Sequence, residues 1–207
     1  ETGADMLYSD EIVLDAKLKH LCEYHFKPDY SPDTLRGCNY ITHFLVFRKA
    51  LLTQTGGERS AMDGAQDYDL ILRLTEKAQR IVHVPKVLYY WRRHGQSTAS
   101  DMSVKPQALQ AGAAAVQEHL NRVGLRGTVE PIQGCPGAYR TRYEVQGNPL
   151  VTVLIPNKDH VQDLHRCLAA LYRNSGWRNM EVVIIENNST EQETFDFYQK
   201  ITHALSD

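Results

Sequence analysis

The chain has 207 residues, of which 42% are hydrophobic and 23% charged, so a buried core is expected rather than disorder. Its formal net charge of −2 provides no basic surface that would attract nucleic acid. The longest apolar run, residues 150–155, is too short to cross a bilayer, and no transmembrane segment is predicted.

Residues 1–103 show the mixed pattern of an α/β domain. Ser31 followed by Pro32 predicts the start of a short helix, since proline is favoured in the first helical turn. Pro85 is expected to separate two short strands near the end of this stretch. The predicted elements are strands at 6–8, 41–47, 81–84 and 87–91, and helices from 49 to 56 and from 65 to 77.

Residues 104–148 are interpreted as a connector. A helix opens at Pro106 and is expected to end at Gly124, where a glycine permits the left-handed stop. Two short strands, at 128–132 and 138–145, flank a turn that contains Pro136.

The pattern in residues 149–207 predicts a strand-helix-strand unit. The apolar runs 150–155 and 182–185 are typical of parallel strands buried on both faces. Apolar residues at helical spacing lie between them, and a right-handed crossover follows. Thr190 and Glu193 form a capping box that predicts a last helix. The whole chain is therefore predicted to be α/β.

Polar residues follow both strands of this unit, where open parallel sheets bind ligands. The first loop contains Asn157 and Asp159, and the second contains Glu186, Asn188 and Ser189. Their oxygens suit a nucleobase N–H or a ribose diol. The alternative is that Asp159 and Ser189 only cap the helices behind them, and spacing alone favours that alternative.

Two carboxylates, Asp67 and Asp69, open the helix predicted at 65–77. The helix dipole favours the anionic form there, as a general base for a sugar hydroxyl requires. An ordinary helix cap is the competing interpretation. Farther along, an aromatic strand leads into polar residues that suit a diphosphate, with a histidine that suits a metal: Arg92, Arg93, His94 and Ser97. Surface arginines at a strand edge are the alternative.

The ordered set of motifs resembles the acceptor half of a family 2 glycosyltransferase of the GT-A fold, of the bacterial type with two such domains in one chain. The motifs are DMLYSDE at 5–11, FKPDYSPD at 26–33, NYI at 39–41, GAQDYDLILR at 64–73 and IVHVPKVLYYWR at 81–92, with His94 and Ser97. PLVTVLIP at 149–156, RCL at 166–168 and EVVIIENNST at 181–190 resemble the nucleotide-binding half of the next domain. A partial, Rossmann-like GT-A fold is implied.

The resemblance also implies roles for single residues. Asp67 matches the catalytic base, although Gln66 precedes it where glutamate is usual. Asp69, Arg92, Arg93 and Ser97 fall on the acceptor and diphosphate side. Five positions match the nucleotide site: Pro156, Asn157, Asp159, Glu186 and Asn188. Glu186 stands where aspartate is commoner in the family.

The family's metal, Mg²⁺ or Mn²⁺, is implied for the complete enzyme. His94 matches a histidine that can join the metal and diphosphate site. The family's D-x-D segment has no counterpart where it is expected. Asp10, in Ser9-Asp10-Glu11, resembles a strand end downstream of that segment and is a weaker candidate ligand.

In one GT-A domain the nucleotide-binding half precedes the acceptor half, whereas in this chain the acceptor half comes first. The expected organisation is thus a fragment, with the end of one domain at 1–103, a connector at 104–148 and the start of the next domain at 149–207. The parent would transfer a sugar from a nucleotide-sugar donor to a glycan acceptor in bacterial cell-envelope polysaccharide synthesis. The fragment alone is expected to be inactive and to lack a bound metal, and exposed strand edges favour a homodimer or a domain swap.

Two other interpretations stay open. One is a non-catalytic α/β interaction module. The other is a different nucleotide-binding α/β protein, which the absence of a glycine-rich phosphate loop disfavours. The four cysteines show no zinc-ligand or redox spacing, which favours reduced thiols and a cytoplasmic location, either free or peripheral at the inner face of the membrane.

Overall fold

A computed structural model describes residues 3–93 and 106–204 as a mixed α/β chain. The chain divides into two compact units, Glu1–Glu144 and Val145–Asp207. Within the described ranges, no helix is both long and apolar enough to span a membrane.

The first unit is built around strand β1 (Met6–Leu14), which is almost entirely buried. Its whole length pairs in parallel with β4 (Ile81–Arg92). Its other edge is shared by two antiparallel strands, β3 (Leu45–Phe47) beside its start and β2 (Leu21–His25) beside its end. Neighbours along both edges, β4 on one side and β3 with β2 on the other, leave the central strand enclosed, as expected of a core strand.

Pro85 does not divide β4 into two strands, as its position had predicted. The pairing register shifts where Ser9, Asp10 and Glu11 face Val84, Val87 and Tyr89, so the strand continues through an irregularity. A proline has no N–H to donate to a ladder, and a bulge accommodates it without ending the strand.

Two other strand predictions need correction. The strand expected at 41–47 is confined to the last three residues of that range, and β2 was not predicted at all. Four of the five residues of β2 are exposed, so it lacks the apolar alternation by which a half-buried strand is recognised.

Helices cover the first unit's sheet. Three α-helices precede β4 in the chain: α1 (Pro32–Gly37), α2 (Lys49–Thr55) and α3 (Gln66–Thr75), the last with a nearly continuous buried stripe. A short 3₁₀ helix, Ser60–Met62, lies between α2 and α3. The predicted connector packs on the same unit. Its helix α4 (Pro106–Arg122) lies against α3, and its strands β5 (Gly127–Pro131) and β6 (Tyr139–Tyr143) form an antiparallel hairpin.

The second unit contains the predicted strand-helix-strand motif. Strands β7 (Val151–Asn157) and β8 (Met180–Glu186) pair in parallel, which confirms the predicted pairing of the two apolar runs. Helix α5 (Val161–Asn174) connects them, and α6 (Gln192–Ala204) follows.

The prediction that β7 and β8 are buried on both faces is wrong for the described chain. Val182 and Ile184 line a groove with side chains of α5 and α6. The residues that alternate with them in β8 are exposed, with Val183 at 42% and Ile185 at 46%. The helices therefore cover one face of this two-stranded sheet and leave an apolar face open.

Candidate active site

Asp67 lies in the first turn of α3, where the free N–H groups of a helix favour an anion. Its side chain is exposed, and its Oδ1 accepts a hydrogen bond from the N–H of Tyr68 at 2.8 Å. The Nδ2 of Asn39 donates to Oδ2 at 3.4 Å. One carboxylate oxygen is thus held by the helix, and the other faces a side chain from a distant loop.

Asp67 lines a cleft with a volume of ≈ 720 Å³, large enough for a ligand the size of a sugar. The walls come from β1, the segments around residues 25–28 and 38–43, the start of α3, and the hairpin turn between β5 and β6. Side chains from these walls include Glu11, His25, Lys27, Asn39, His43, Trp91, Pro136 and Tyr139.

Glu11 forms the buried polar centre of this cleft, with 1% of its surface exposed. His25 Nδ1 lies 2.9 Å from its Oε1, and the backbone N–H of His43 donates to its Oε2 at 2.7 Å. The Nδ1 of His43 lies 3.1 Å from both oxygens, and Lys27 Nζ lies 3.7 Å from Oε2.

Burial alone would raise the pKa of Glu11, but the hydrogen bonds from His43 and His25 outweigh it and lower the pKa to about 2. Glu11 is therefore anionic at neutral pH. Each imidazole that donates Nδ1–H to it is oriented by that hydrogen bond. His43 also stacks on Trp91, with ring centroids 4.7 Å apart, so the charged centre adjoins an aromatic surface.

Tyr139 brings the hairpin into the same cleft. Its ring packs on Tyr68, with centroids 5.7 Å apart. Burial, and secondarily the negative charge of Asp67, raises the pKa of Tyr139 to about 12. The phenol therefore stays protonated at neutral pH and can donate a hydrogen bond.

Sequence reasoning had assigned no role to Glu11, His25, His43 or Tyr139. Asn39 appeared only within a motif of the resemblance. The one available signal was the position of Asn39 in a polar stretch just before the strand predicted at 41–47, which does not by itself indicate a site.

Asp69 lies apart from the residues that line the cleft. It has 0% of its surface exposed, and Arg59 and Arg73 both bind its carboxylate. Burial would raise the pKa of Asp69, but the hydrogen bonds from the two arginines outweigh it and hold the pKa below its usual range. These contacts are those of a structural ion network between helices.

The other predicted residues of the first unit are dispersed. Arg92 and Arg93 are exposed at the end of β4, and Arg93 pairs with Glu23 at 3.0 Å. Neither arginine is among the residues that line the cleft. His94 and Ser97 lie outside the described residues.

Asp10 is buried and already has two partners. Its Oδ1 accepts from the N–H of Lys27 at 2.9 Å and lies 2.8 Å from His83 Nε2. In the ranges 3–93 and 106–204, no group of three His, Cys, Asp or Glu side chains is arranged to hold a metal ion. His94, the candidate ligand that the resemblance implies, lies outside those ranges, so the Mg²⁺ or Mn²⁺ site stays an expectation for the complete enzyme.

In the second unit, the structure brings together the polar residues that follow β7 and β8. Asn157 and Glu186 are paired in register at the ends of the two strands. The hydroxyl of Tyr198 links them, since it accepts from Asn157 Nδ2 at 2.8 Å and donates to Glu186 Oε2 at 2.8 Å. Ser189 Oγ donates to Glu186 Oε2 at 2.7 Å.

Pro156 and Asn188 flank this cluster. Pro156 pairs with Ile185 within the sheet, one position before Asn157. Asn188 is exposed and has left-handed backbone, with φ of 58°. Asparagine is one of the few residues that adopt this conformation readily, so a turn explains Asn188 without a ligand.

Asp159 caps α6 rather than the helix that follows it directly. Its Oδ1 accepts from the N–H groups of Thr190 and Glu191, each at 2.9 Å, and the hydroxyl of Thr190 lies 3.4 Å from Oδ2. The predicted capping role of Thr190 is thus corrected: the side chain that accepts at this helix start comes from the loop after β7. The N–H bonds from Glu191 and Thr190 lower the pKa of Asp159.

Replacement of Asp159 by alanine is expected to loosen the start of α6, since two helical N–H groups lose their acceptor. Hydrogen exchange should speed up at Thr190, Glu191 and Thr194. Asp163→Ala is the matched control, because that exposed carboxylate pairs with Arg166 within α5 and not with α6 in the described part of the chain. Folding lowers the pKa of Asp159 below its ordinary value. In the unsubstituted chain, the protection of these amides from exchange should therefore be complete above about pH 3.9 and be lost as the pH falls through the folded pKa. Unchanged exchange in Asp159→Ala would contradict the cap.

Comparison with known proteins identifies two relatives. The chain is 36% identical over 201 residues to the uncharacterized protein y4gI of Sinorhizobium fredii, covering 96% of this chain and 22% of that protein. It is 41% identical over 190 residues to the O-antigen biosynthesis protein RfbC of Myxococcus xanthus, covering 92% of this chain and 15% of that protein. No family model matches the chain. The chain thus spans less than a quarter of the length of either relative.

Proposed function

We propose that this chain is part of a longer family 2 glycosyltransferase of the GT-A fold, which transfers a sugar from a nucleoside diphosphate sugar to a hydroxyl of a bacterial polysaccharide. The observation that carries the proposal is the exposed carboxylate of Asp67, held at a helix start in a sugar-sized cleft. The similarity to an O-antigen biosynthesis protein along 92% of the chain supports a role in glycan synthesis.

In the proposed reaction, Asp67 accepts the proton of an acceptor hydroxyl. The oxygen forms a bond to the anomeric carbon of the donor sugar, on the face opposite the diphosphate, while the bond from that carbon to the diphosphate oxygen breaks. The nucleoside diphosphate leaves with the bonding electron pair, and the anomeric configuration is inverted. An exposed carboxylate beside the acceptor hydroxyl is suited to the proton transfer.

The second unit is proposed to begin a further domain of the same kind, with Asn157, Asp159 and Glu186 near the nucleotide. Their present hydrogen bonds to Tyr198, Ser189 and the start of α6 hold these groups in one cluster. A nucleotide at this edge would exchange some of these bonds for its own. A Mg²⁺ or Mn²⁺ ion in the longer protein would offset charge on the leaving diphosphate.

A cytoplasmic location is proposed on separate grounds. Cys22, Cys38, Cys135 and Cys167 are all free thiols. Free thiols are typical of a reducing compartment, whereas secreted proteins usually pair their cysteines.

The proposal is tested by comparing this chain with the longer protein. Purified samples are incubated with nucleotide sugars, an acceptor glycan extract and Mn²⁺, and release of nucleoside diphosphate is measured. The longer protein is expected to release it. The chain alone is not, because Asp67 and the nucleotide residues belong to different units and donor and base must act on one bond. Release by the chain alone that Asp67→Asn abolishes would contradict this expectation, and no release by the longer protein would overturn the proposed function.

A further inference from the structure

The turn between β5 and β6 forms one wall of the cleft that contains Asp67. Pro136 and Gly137 line the cleft from this turn, and Tyr139 lines it from the first residue of β6. Asn39 and Asp67 face the same space. The hairpin lies more than fifty residues beyond α3 in the chain, so it adds to the cleft a surface that the acceptor-half motifs do not contain.

This wall is fixed to the rest of the unit. Ala138 forms an antiparallel bridge with Cys38, directly before Asn39. On the other side, Gly112 of α4 lies so close to Tyr139 that a Cβ atom at residue 112 would be 1.8 Å from the tyrosine hydroxyl. Gln117 of α4 holds β5 through both ends of its amide, at 3.1 Å from Gly127 O and from Val129 N. The turn is therefore a rigid boundary rather than a loose loop.

An unsatisfied acceptor lies beside this boundary. Asn39 Oδ1 is buried and has no hydrogen-bond partner among the described residues, while its Nδ2 donates to Asp67. A buried acceptor without a partner is costly, and a ligand hydroxyl would satisfy it. Sugars carry hydroxyls on adjacent carbons, so one hydroxyl can meet Asp67 while its neighbour donates to Asn39.

We propose that the turn at residues 134–138, together with Asn39, forms the acceptor-sugar subsite and determines which sugar can present a hydroxyl to Asp67. This inference rests on the proposed function for the identity of the acceptor. Asn39 fixes the orientation of the ring through the neighbouring hydroxyl. Pro136 limits the size of the substituents that fit between the turn and Asp67, since a rigid wall excludes larger groups by steric clash.

The test uses this chain and a panel of methyl glycosides of hexoses, 6-deoxyhexoses and N-acetylhexosamines, with binding measured by saturation-transfer NMR. At least one glycoside is expected to bind. Pro136→Trp should weaken its binding by about tenfold or more, because the indole would fill the space beside Asp67. Gln133→Trp is the matched control, since Gln133 is exposed on the same turn but does not line the cleft. It should leave binding unchanged.

Asn39→Ala provides a second measurement. It should lower the affinity for the bound glycoside. It should also reduce discrimination against the deoxy analogue that lacks the neighbouring hydroxyl, because alanine offers that hydroxyl no acceptor. A purely structural role for Asn39 would not change that discrimination. Absence of binding by every glycoside, or equal binding by Pro136→Trp and Gln133→Trp, would overturn the proposal.

The outcome is distinguishable from failure of the proposed function. In the longer protein, Pro136→Trp should raise the KM for acceptor and leave the KM for the nucleotide sugar unchanged. Turnover with an unchanged acceptor KM would overturn the subsite alone. Glycoside binding that Pro136→Trp weakens, in a longer protein without transferase activity, would preserve the subsite and overturn the transferase.

Discussion

Asp67→Asn is expected to reduce glycosyl transfer at the first domain of the longer protein by about 10² to 10⁴-fold, which corresponds to roughly 3 to 5 kcal/mol in the activation free energy. Asparagine has nearly the same shape and can still accept from the N–H of Tyr68. It cannot take a proton from the acceptor hydroxyl. The loss should therefore appear in turnover, while the KM for the nucleotide sugar and the unfolding transition stay near those of the unsubstituted protein.

Steady-state kinetics with each domain measured separately would test this expectation. Asp63→Asn is the matched control, because Asp63 is an exposed carboxylate just before the same helix and does not line the cleft. It should leave turnover unchanged. If Asp67→Asn turned over as fast as Asp63→Asn, Asp67 would have no part in proton transfer.

The second large effect concerns stability. Asp69→Asn is expected to destabilise the first unit by about 3 to 5 kcal/mol, since it removes the charge that faces two arginines at a fully buried position. Arg73 also donates to the carbonyl oxygens of Thr55, Gly56 and Gly57. These acceptors remain in the variant, so the lower end of the range is the better expectation.

The measurement is denaturant unfolding of the first unit, followed by the fluorescence of Trp91 in a Trp177→Phe background. Arg142→Gln is the control, because Arg142 pairs with Glu130 at the surface of the hairpin, with 60% and 52% of the two side chains exposed. An exposed pair of this kind contributes about 0 to 1 kcal/mol. Equal loss of stability in the two variants would show that the buried Asp69 network contributes no more to the free energy of unfolding than the surface pair does.

The sequence carried enough information for those features that depend on local pattern. The parallel pairing of β7 and β8 followed from two apolar runs with a helix between them. Asp67 was placed at a helix start because the apolar residues that follow it recur at helical spacing in the helix predicted at 65–77. Such features need only neighbours within one or two turns of the chain, which periodicity describes directly.

The composition of the cleft could not be predicted in this way. Glu11 meets His25 and His43, which follow it by 14 and 32 residues, and none of the three belongs to a recognisable spacing. Tyr139 reaches the cleft only because the hairpin folds back onto α1 and α4. Contacts of this kind depend on tertiary packing, for which local pattern carries no signal. The capping of α6 by Asp159, across 31 and 32 residues, was missed for the same reason.

The close contacts made by α4 have a consequence for protein engineering. A Cβ atom at Gly64, just before the Asp67 helix, would lie 2.8 Å from the Cβ of Ala108, and Gly112 leaves still less room beside Tyr139. Helix α4, the β5–β6 hairpin and the loop that leads into α3 therefore pack closely because residues 64 and 112 are glycines. A designer who transplanted this cleft into another α/β scaffold would have to move all three segments as one cassette, with both glycines retained. Exchanging the hairpin between homologous proteins would succeed only where the recipient helix also has glycine opposite the tyrosine.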